Sequence, residues 1–559
     1  MNADGGIGLK QAEASKDDEL MHSVSIAKGT AWALSGSLLM NGLSFFYTIY
    51  VARAVSQGDL GLFYLSLSIA MLFGVWRDFG LPAALTRYVP FYEGKKEYAK
   101  IRALLRSTYF INVLSGAALT LLLFLLSGFI GGLYQNPLLP EALRLMSAYM
   151  LLECIFRVNV NFLQSRSDIR SQQMAYNVLV LSKFAFTILF FSLFGASLVT
   201  LTAAFLLSYL AAIAASAPDV RMRVKEIPSE SQPAPMRTML SEVIPFGLML
   251  TVLTTLNTIV SSIDRALLGL LSLPADANSV VAIYSVSSIL ALCVAIFPNA
   301  VGSIFLPTIS KLIGKGDREG AKKALATSQR WSLFIMLPFA AVMTAFSQEM
   351  IVTVYGGDYS SGALPMAIFV SGLALSAFSS APSSALAALR MVKLELKIAA
   401  ITAAFNVCLM LLFVPSLGME GAALSFAASF ILSAFIIEYY TRRIVGYSTP
   451  KSVFTIMLIG ALLCCLLLFA KPAVAFCASL IPNIGIDALQ PYFYKAAYFA
   501  LLGILSAICG VALFALAIAA KCLGRQDALV ASKVGHFLRL PKPAIALIEK
   551  AVGYGVGTG

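Results

Sequence analysis

The sequence predicts an all-α polytopic membrane protein with about fourteen transmembrane helices. We expect two six-helix lobes in a parallel repeat, two further C-terminal helices, and both termini in the cytosol. The composition supports this fold class: 59% of the 559 residues are hydrophobic and 12% are charged, and the mean hydropathy is +0.83. Soluble domains carry about 25% charged residues. The same numbers exclude a disordered chain and a disulfide scaffold.

The count of fourteen comes from apolar runs, because a span needs about 20 mostly apolar residues to cross about 30 Å of hydrocarbon. The GAS turn after residue 194 separates two of these runs. The predicted spans are approximately 30–52, 60–80, 107–133, 143–163, 174–194, 197–217, 243–270, 280–306, 331–348, 364–388, 398–415, 419–438, 453–477 and 494–520.

The positions of basic residues predict the orientation. Residues 1–25 lack the basic, apolar and small-residue pattern of a secretory signal, so we expect the first span to be retained and the N-terminus to be cytosolic. Most of the 41 Lys and Arg residues then lie in cytosolic tails and loops, as the positive-inside rule requires. The outer loops and outer span edges contain only Arg53, Arg144, Lys471 and Lys495.

Two basic segments indicate an internal repeat. The segment EGKKEYAKIRALL follows the second span and KGDREGAKKALA follows the eighth, and Gly94 aligns with Gly316 without gaps. An offset of six spans, an even number, predicts a parallel repeat about an axis along the membrane normal. The predicted divisions are a cytosolic tail, an N-lobe, a cytosolic linker, a C-lobe, two added spans and a cytosolic or interfacial tail, at 1–25, 26–217, 218–242, 243–445, 446–520 and 521–559.

Glu153 and Arg157 are charged residues within the fourth predicted span. Charged groups in the hydrocarbon are costly and usually have partners or line a cavity. Because these two are four residues apart, they share a helix face and are able to pair. Such a pair either fixes helix packing or lines a cavity in which the arginine exchanges its carboxylate for a substrate phosphate.

Five further charges lie within or at the ends of predicted spans. Lys183 is near the middle of the fifth span, where it either meets Glu153 or offers a cation to an anionic ligand. Arg77 and Asp78 end the second span, where interfacial anchoring and a functional role are equally open. Asp264 and Arg265 lie in the seventh span, where a structural and a functional role are equally open.

Several functional classes find no support in the sequence. There is no GxxxxGK[ST] nucleotide loop, and no soluble block is long enough for a catalytic domain. Only two histidines occur, and none of the eight cysteines forms a CxxC pair, so we expect no metal site and no cofactor. The positive-inside rule accounts for the basic excess without a nucleic-acid partner. The sequence therefore does not predict an enzyme.

Several short, glycine-anchored segments carry a family resemblance. They are YVARAVSQGDLGLFYLSLS at 50–68, DFGLPAALTRYVPFYEGKKE at 78–97, IDRALLGLL at 263–271, AIYSVSSIL at 282–290, FLPTISKLIGKGDREGAKKAL at 305–325 and GMEGAALSFAASFI at 418–431. With these segments the chain resembles the polysaccharide transport family, the Wzx-type flippases of the multidrug/oligosaccharidyl-lipid/polysaccharide exporter superfamily.

The resemblance implies two lobes around a central cavity and transfer of a polyprenyl (di)phosphate-linked oligosaccharide to the outer leaflet of the cell membrane. It implies a cationic cavity, for which Arg157 and Lys183 are the best candidates, followed by Arg77 and Arg265. Coupling to H⁺ or Na⁺ would use Glu153, Asp264 or Asp78. Membrane lipids, and a glycan polymerase or glycosyltransferases, are the expected partners.

Three alternatives remain open at this point. A multidrug-type cation antiporter of the same superfamily would need unpaired carboxylates in its cavity, and a peptidoglycan-precursor flippase would need the same cations as an oligosaccharide flippase. A membrane-embedded glycosyltransferase or polymerase would need carboxylates in sizeable outer loops, and the predicted outer loops are short.

Overall fold

The computed structural model describes residues 36, 39–228, 236–273, 276–389, 391–479, 490–520 and 522, and the regular secondary structure in these ranges is helical. Short 3₁₀ turns separate some of the helices. The helices are α1 (39–54), α2 (Gln57–Phe73), α3 (Leu81–Gly94), α4 (Tyr98–Leu133), α5 (Leu139–Ser165), α6 (Ile169–Phe194), α7 (Leu198–Lys225), α8 (Met236–Leu271), α9 (Ala277–Leu292), α10 (Ile296–Gly314), α11 (Arg318–Ala345), α12 (Ser347–Tyr355), α13 (Ala363–Ser376), α14 (Ser380–Ala388), α15 (Val392–Val445), α16 (Lys451–Ser479) and α17 (Gln490–Ala519).

Within the described residues, nine helices are long and apolar enough to cross a membrane, and the bent pair α11–α12 is a tenth candidate. The nine include α15, whose 54 residues would extend about 80 Å at 1.5 Å per residue. Non-helical torsion angles at Gly418 (φ 58°, ψ −130°) divide α15 where the sequence predicts a boundary between two spans. The multi-pass fold is therefore confirmed. The total of fourteen spans and the cytosolic termini stay predictions, and residues 1–25 and nearly all of 521–559 lie outside the described ranges.

The predicted break after residue 194 is confirmed. Helix α6 ends at Phe194, and Gly195 adopts a positive φ of 81° that a residue with a side chain rarely adopts. The Ser197 hydroxyl then accepts a hydrogen bond from the Thr200 amide in a capping box that begins α7. The GAS turn thus supplies both the helix stop and the next helix start.

The predicted span 60–80 is interrupted. Helix α2 ends at Phe73, a 3₁₀ turn covers Gly74–Trp76, and a new helix, α3, begins at Leu81. Gly80 has a φ of 67°, and Pro82 occupies the first turn of α3, where its missing N–H costs no hydrogen bond. The span prediction missed α3, because a helix of 14 residues that contains Arg87 is too short and too polar to count as a run of about 20 mostly apolar residues.

By its packing, the chain divides into two compact units, Met1–Thr258 and Ile259–Gly559, so the division lies within α8. The first half of α8 belongs to the first unit because the Tyr88 and Tyr92 hydroxyls donate hydrogen bonds to the Glu242 carbonyl and carboxylate, at 3.2 and 3.1 Å. Gly80 and Gly247 also meet backbone to backbone. The predicted lobe boundaries stay predictions.

The second unit is built around α11, which packs against α10, α13, α16 and α17. The segment between α15 and α16 is tied to α11 by a buried hydrogen bond from the Tyr447 hydroxyl to the Gln329 side chain. The two added helices therefore pack as part of the second unit.

The internal repeat has a different register from the one that the sequence predicts. The backbone amides of Lys96 and Gly316 close the same turn, and both residues have a positive φ, so Lys96 corresponds to Gly316. Gly94, which the sequence aligns with Gly316, is still helical. Glycine favours the left-handed conformation, but other residues also adopt it. An alignment that matches glycine to glycine is therefore displaced by two residues from the alignment that matches the two turns.

Gly80→Ala tests the contact between α3 and α8. A Cβ at Gly80 would approach the Gly247 carbonyl oxygen to 2.0 Å, and the positive φ disfavours alanine. We expect the free energy of unfolding to fall by about 2 kcal/mol or more. The measurement is the unfolding midpoint in detergent. The control is Gly128→Ala, where a Cβ meets nothing within 4 Å and should improve helix stability. Equal midpoints for the two variants would contradict the contact.

Candidate functional site

The break between α2 and α3 places two charged residues inside the first unit. Arg77 and Asp78 are each 6% exposed, although they lie between helices. The Gly80 amide donates to Asp78 Oδ1 at 3.0 Å, and the Ser115 hydroxyl of α4 donates to the Arg77 carbonyl oxygen. Both side chains therefore lie inside the packed helices of the first unit.

Two ion pairs join this break to α5. The Arg77 guanidinium pairs with the Glu153 carboxylate, and Arg157 Nη1 lies 3.4 Å from Asp78 Oδ2. The predicted pairing of Glu153 with Arg157 along one helix is therefore wrong, since each residue has its partner in the α2–α3 break. The four-residue spacing on α5 predicts a pair within that helix, whereas no sequence pattern predicts partners in the α2–α3 break.

The two pairs differ in their accessibility. Arg77 and Glu153 have side chains that are 7% and 15% exposed, whereas the Arg157 side chain is 32% exposed. The Asp78–Arg157 distance of 3.4 Å is longer than the about 2.7–2.9 Å of a strong charge-assisted hydrogen bond. Arg157 is thus the guanidinium of this group that is able to reach a ligand.

Lys183 lies near the middle of α6 and faces α1. Its Nζ is 4.3 Å from the centre of the Tyr47 ring, a cation–π contact. The Tyr47 ring itself packs edge-on against Phe184. The described part of the chain gives Lys183 no ion pair, so of the two sequence alternatives the meeting with Glu153 does not occur.

An aromatic cluster surrounds Glu153 within the first unit. Tyr149 and Phe156 of α5 pack against Tyr209 of α7 with ring centres 5.4 and 5.8 Å apart, and Phe156 contacts Tyr176 of α6 at 5.4 Å. These rings exclude water from one side of the Arg77–Glu153 pair. A low local dielectric strengthens that pair and raises the cost of breaking it.

Asp264 and Arg265 belong to the second unit and do not form a simple pair. Asp264 is 4% exposed, and its Oδ2 accepts a hydrogen bond of 2.8 Å from the Tyr284 hydroxyl. The Arg265 guanidinium donates instead to the hydroxyls of Ser285 and Ser288, each at 3.2 Å. Asp264 is therefore a buried carboxylate whose main partner is neutral.

A charged cluster at the ends of α5 and α7 was not predicted from the sequence. Arg223 Nη2 lies 2.7 Å from Asp168 Oδ2, and Arg166 pairs with Glu93 at 2.6 Å. Burial tends to raise the pKa of Asp168, but hydrogen bonds from Arg223 and the Ser171 amide outweigh it and lower that pKa. This cluster fastens helix ends together and lies outside the predicted spans.

A buried carboxylate in the second unit was also missed. Glu438 is 4% exposed, and it accepts hydrogen bonds from the Thr449 hydroxyl and from Gln329 Nε2. Glu438 is the last residue of the predicted span 419–438. Within the described ranges, no group of three or more His, Cys, Asp or Glu residues could hold a metal ion.

Within the first unit the charges predicted for the site leave one cation in excess, because three basic side chains accompany two carboxylates. Arg77 and Arg157 are paired, so Lys183 carries the excess charge. An exchangeable cation at mid-helix is suited to hold an anionic group such as a phosphate. The seven residues predicted for the site across both units are Arg77, Arg157, Lys183, Arg265, Asp78, Glu153 and Asp264.

Comparison with known proteins gives a family and two relatives. Residues 26–313, more than half of the chain, match the family described as polysaccharide biosynthesis protein. An uncharacterized membrane protein of Methanocaldococcus jannaschii is 23% identical over 84% of this chain and 93% of its own length. A probable low-salt glycan biosynthesis flippase of Haloferax volcanii, Agl15, is 22% identical, but the match covers only 27% of this chain and 32% of that protein.

Two solved structures share the fold. The lipid II flippase MurJ in an inward closed conformation superimposes with a TM-score of 0.62 at 14% identity, over 86% of this chain and 98% of MurJ. An inward-facing multidrug resistance transporter of the MATE family has the same TM-score and identity, over 74% of this chain and 98% of its own. The fold is therefore shared with both a lipid flippase and a multidrug transporter.

Replacing Arg77 tests the ion-pair arrangement. Arg77→Met leaves the Glu153 carboxylate unpaired among aromatic rings, and loss of one partner of a buried pair costs about 3–5 kcal/mol. The double variant Arg77→Met/Glu153→Met should recover most of this loss. Lys183→Met is the matched control, because it leaves no carboxylate unpaired and removes a cation–π contact of about 1 kcal/mol. Unfolding midpoints in detergent are measured for these three variants and for Glu153→Met, and additive losses at Arg77 and Glu153 would contradict the pairing.

Proposed function

The chain belongs to the polysaccharide biosynthesis protein family, and from this premise we propose that it is a flippase for a polyprenyl (di)phosphate-linked oligosaccharide. It would carry the headgroup from the cytosolic to the outer leaflet of the cell membrane by alternating access. The names of the glycan biosynthesis flippase and of the lipid II flippase support a lipid-linked sugar as cargo. Such a step serves the assembly of polysaccharides or glycoconjugates, with glycosyltransferases or a polymerase acting before and after it.

The observation that carries this proposal is the unmatched cation at Lys183. A diphosphate does not cross hydrocarbon unaided, because an isolated charge loses its hydration there at great cost. Buried cations replace that hydration and form charge-assisted hydrogen bonds with the phosphate oxygens. Because Lys183 contacts a tyrosine ring in place of a carboxylate, it loses little interaction energy when it binds an anion.

Arg157 is the second group that we assign to the phosphate. Its contact with Asp78 is long, at 3.4 Å, and about a third of its side chain is exposed. A phosphate could displace the carboxylate, since a guanidinium binds both kinds of oxyanion. Arg77 would have a positioning role, because its pair with Glu153 fixes the α2–α3 break that presents Asp78.

Ion coupling, if it operates, is assigned to Asp264. Glu153 and Asp78 already have guanidinium partners. Asp264 is buried with the Tyr284 hydroxyl as its side-chain partner, so it is better placed to take up H⁺ or Na⁺. This choice narrows the three sequence candidates to one.

The multidrug antiporter shares the fold but fits the charges less well. An organic cation needs an accessible unpaired carboxylate, whereas the buried groups here have a cation in excess and Asp264 is hidden. A peptidoglycan-precursor flippase needs the same phosphate chemistry as the oligosaccharide flippase. The buried cations fit both cargoes, so only recognition of the glycan would distinguish them.

Headgroup flipping in proteoliposomes tests the function. A fluorescent polyprenyl-diphosphate oligosaccharide and an impermeant quencher report the rate for wild type, Lys183→Ala and Lys183→Arg. We expect Lys183→Ala to slow flipping at least about tenfold, as loss of a charge-assisted hydrogen bond costs about 1.5–3 kcal/mol, and Lys183→Arg to retain it. A second carrier with a peptidoglycan-precursor headgroup identifies the preferred cargo.

The matched control is Lys95→Ala, which removes a cation that stacks on Phe91 outside the predicted spans. It should flip at the wild-type rate. A wild-type rate for Lys183→Ala would refute the phosphate role of Lys183. A wild type that flips neither carrier but accumulates organic cations would instead establish the antiporter.

A further inference from the structure

Helix α8 exposes two roughly opposite faces along its apolar length. One face is apolar and includes Leu248 and Val252, which are 37% and 38% exposed. The other face exposes the side chains of Thr254, Asn257 and Ser261, at the three- and four-residue spacing that keeps them on one side of a helix. We refer to these three residues as the polar face of α8.

Asn257 makes the polar face unsuited to lipid contact. A side-chain amide without a hydrogen-bond partner in hydrocarbon costs several kcal/mol, about 4–8 on a water-to-cyclohexane scale. Asn257 is exposed and has no side-chain hydrogen bond within the described residues. The apolar face, with Leu248 and Val252, satisfies the requirement for lipid contact on the other side. The polar face is therefore in contact with water or with a polar ligand.

The chemistry of this face selects a neutral, hydroxyl-rich ligand. Thr254 donates its hydroxyl to the Thr251 carbonyl oxygen at 3.0 Å, which leaves the oxygen as an acceptor, and Asn257 offers both donors and an acceptor. The nearest carboxylate on α8, Asp264, is buried and bonded to Tyr284, so it does not contribute charge to this face. Donors and acceptors without charge match the hydroxyl groups of a sugar.

The polar face ends at a cation. Arg265 continues the same side of α8 one helical turn after Ser261, and its Nη1 donates to the Ser261 carbonyl oxygen at 3.3 Å. From Thr254 to Arg265 the helix rises about 16 Å. A ligand bound here would thus meet neutral hydrogen-bonding groups over several sugar rings and one guanidinium at the end.

We propose that Thr254, Asn257 and Ser261 form the subsite that binds the glycan part of the substrate through its hydroxyl groups. This inference rests on the proposed flippase function and adds to it a site for the sugar that is separate from the phosphate-binding cations. It assigns selection among glycans to α8 and anchoring of the diphosphate to Lys183 and Arg157.

Cysteine labelling tests the subsite without requiring transport. Single cysteines are introduced as Thr254→Cys, Asn257→Cys and Ser261→Cys, with Leu248→Cys and Val252→Cys as controls on the apolar face. The background lacks the eight native cysteines and keeps the wild-type unfolding midpoint. A membrane-impermeant maleimide is applied with and without polyprenyl-diphosphate glycans extracted from membranes of the native host, before and after enzymatic removal of the glycan.

We expect the three polar-face cysteines to react, the two controls not to react, and the intact extract to slow labelling at least about fivefold. The deglycosylated extract should leave labelling unchanged. Failure of the polar face to react, protection by both extracts, or protection by neither would overturn the subsite. The flipping assay is independent of this result, so a wild type that flips nothing would refute the flippase and not the glycan contact.

A paired flipping measurement tests selectivity. Asn257→Leu should slow an oligosaccharide-bearing carrier about five- to tenfold, the effect of one lost neutral hydrogen bond, and slow a single-sugar carrier less than twofold. Asn257→Ser, which keeps a hydroxyl, should recover much of the rate, and Val252→Leu on the apolar face should change neither. Equal slowing of both carriers by Asn257→Leu would overturn the assignment.

Discussion

The first unit of this protein depends on the neutralisation of buried charge. Arg77 and Asp78 enter the helical bundle at the break between α2 and α3, and each finds its opposite charge on α5. An unpaired charge there would cost several kcal/mol, so the break and α5 are held in one relative position. The close backbone contact of Gly80 with Gly247 then brings the start of α8 against the same break. One electrostatic requirement thus fixes where three helices meet.

The two units bury polar side chains at equivalent positions of corresponding helices. Thr108 and Asn112 on α4, and Ser328 and Ser332 at equivalent positions on α11, are all fully buried. Other buried polar contacts differ between the units: Asn159 and Ser216 bond to each other in the first unit, whereas Gln329 bonds to the Glu438 carboxylate in the second. The repeat therefore preserves the small buried polar positions that allow close helix packing, while the charge that each unit holds is its own.

The proposed transport chemistry uses two kinds of surface. Cations without a carboxylate, or with a weakly held one, suit a diphosphate, and the uncharged polar face of α8 suits sugar hydroxyls. Separation of the two has a physical advantage, since a phosphate gains from a low dielectric that strengthens its ion pairs, whereas a glycan needs hydration or its replacement by many weak hydrogen bonds. The shared fold by itself does not distinguish a lipid-linked sugar from a drug; the placement of charge supports the former.

The sequence by itself determined the all-helical membrane fold, the turn after residue 194, the division of α15 at Gly418, and which charged residues lie in costly positions. These features follow from local composition and spacing, which the 1.5 Å rise per residue converts directly into span lengths. Tertiary structure alone decided the partners: Glu153 bonds to Arg77 and not to Arg157, and Lys183 meets a tyrosine ring in place of a carboxylate. It also decided that α3 is a separate helix and that the repeat register differs by two residues. Spacing along one helix shows which groups are able to meet, but the strength of a buried charge pair depends on the helix that packs across from it, and no local pattern specifies that helix.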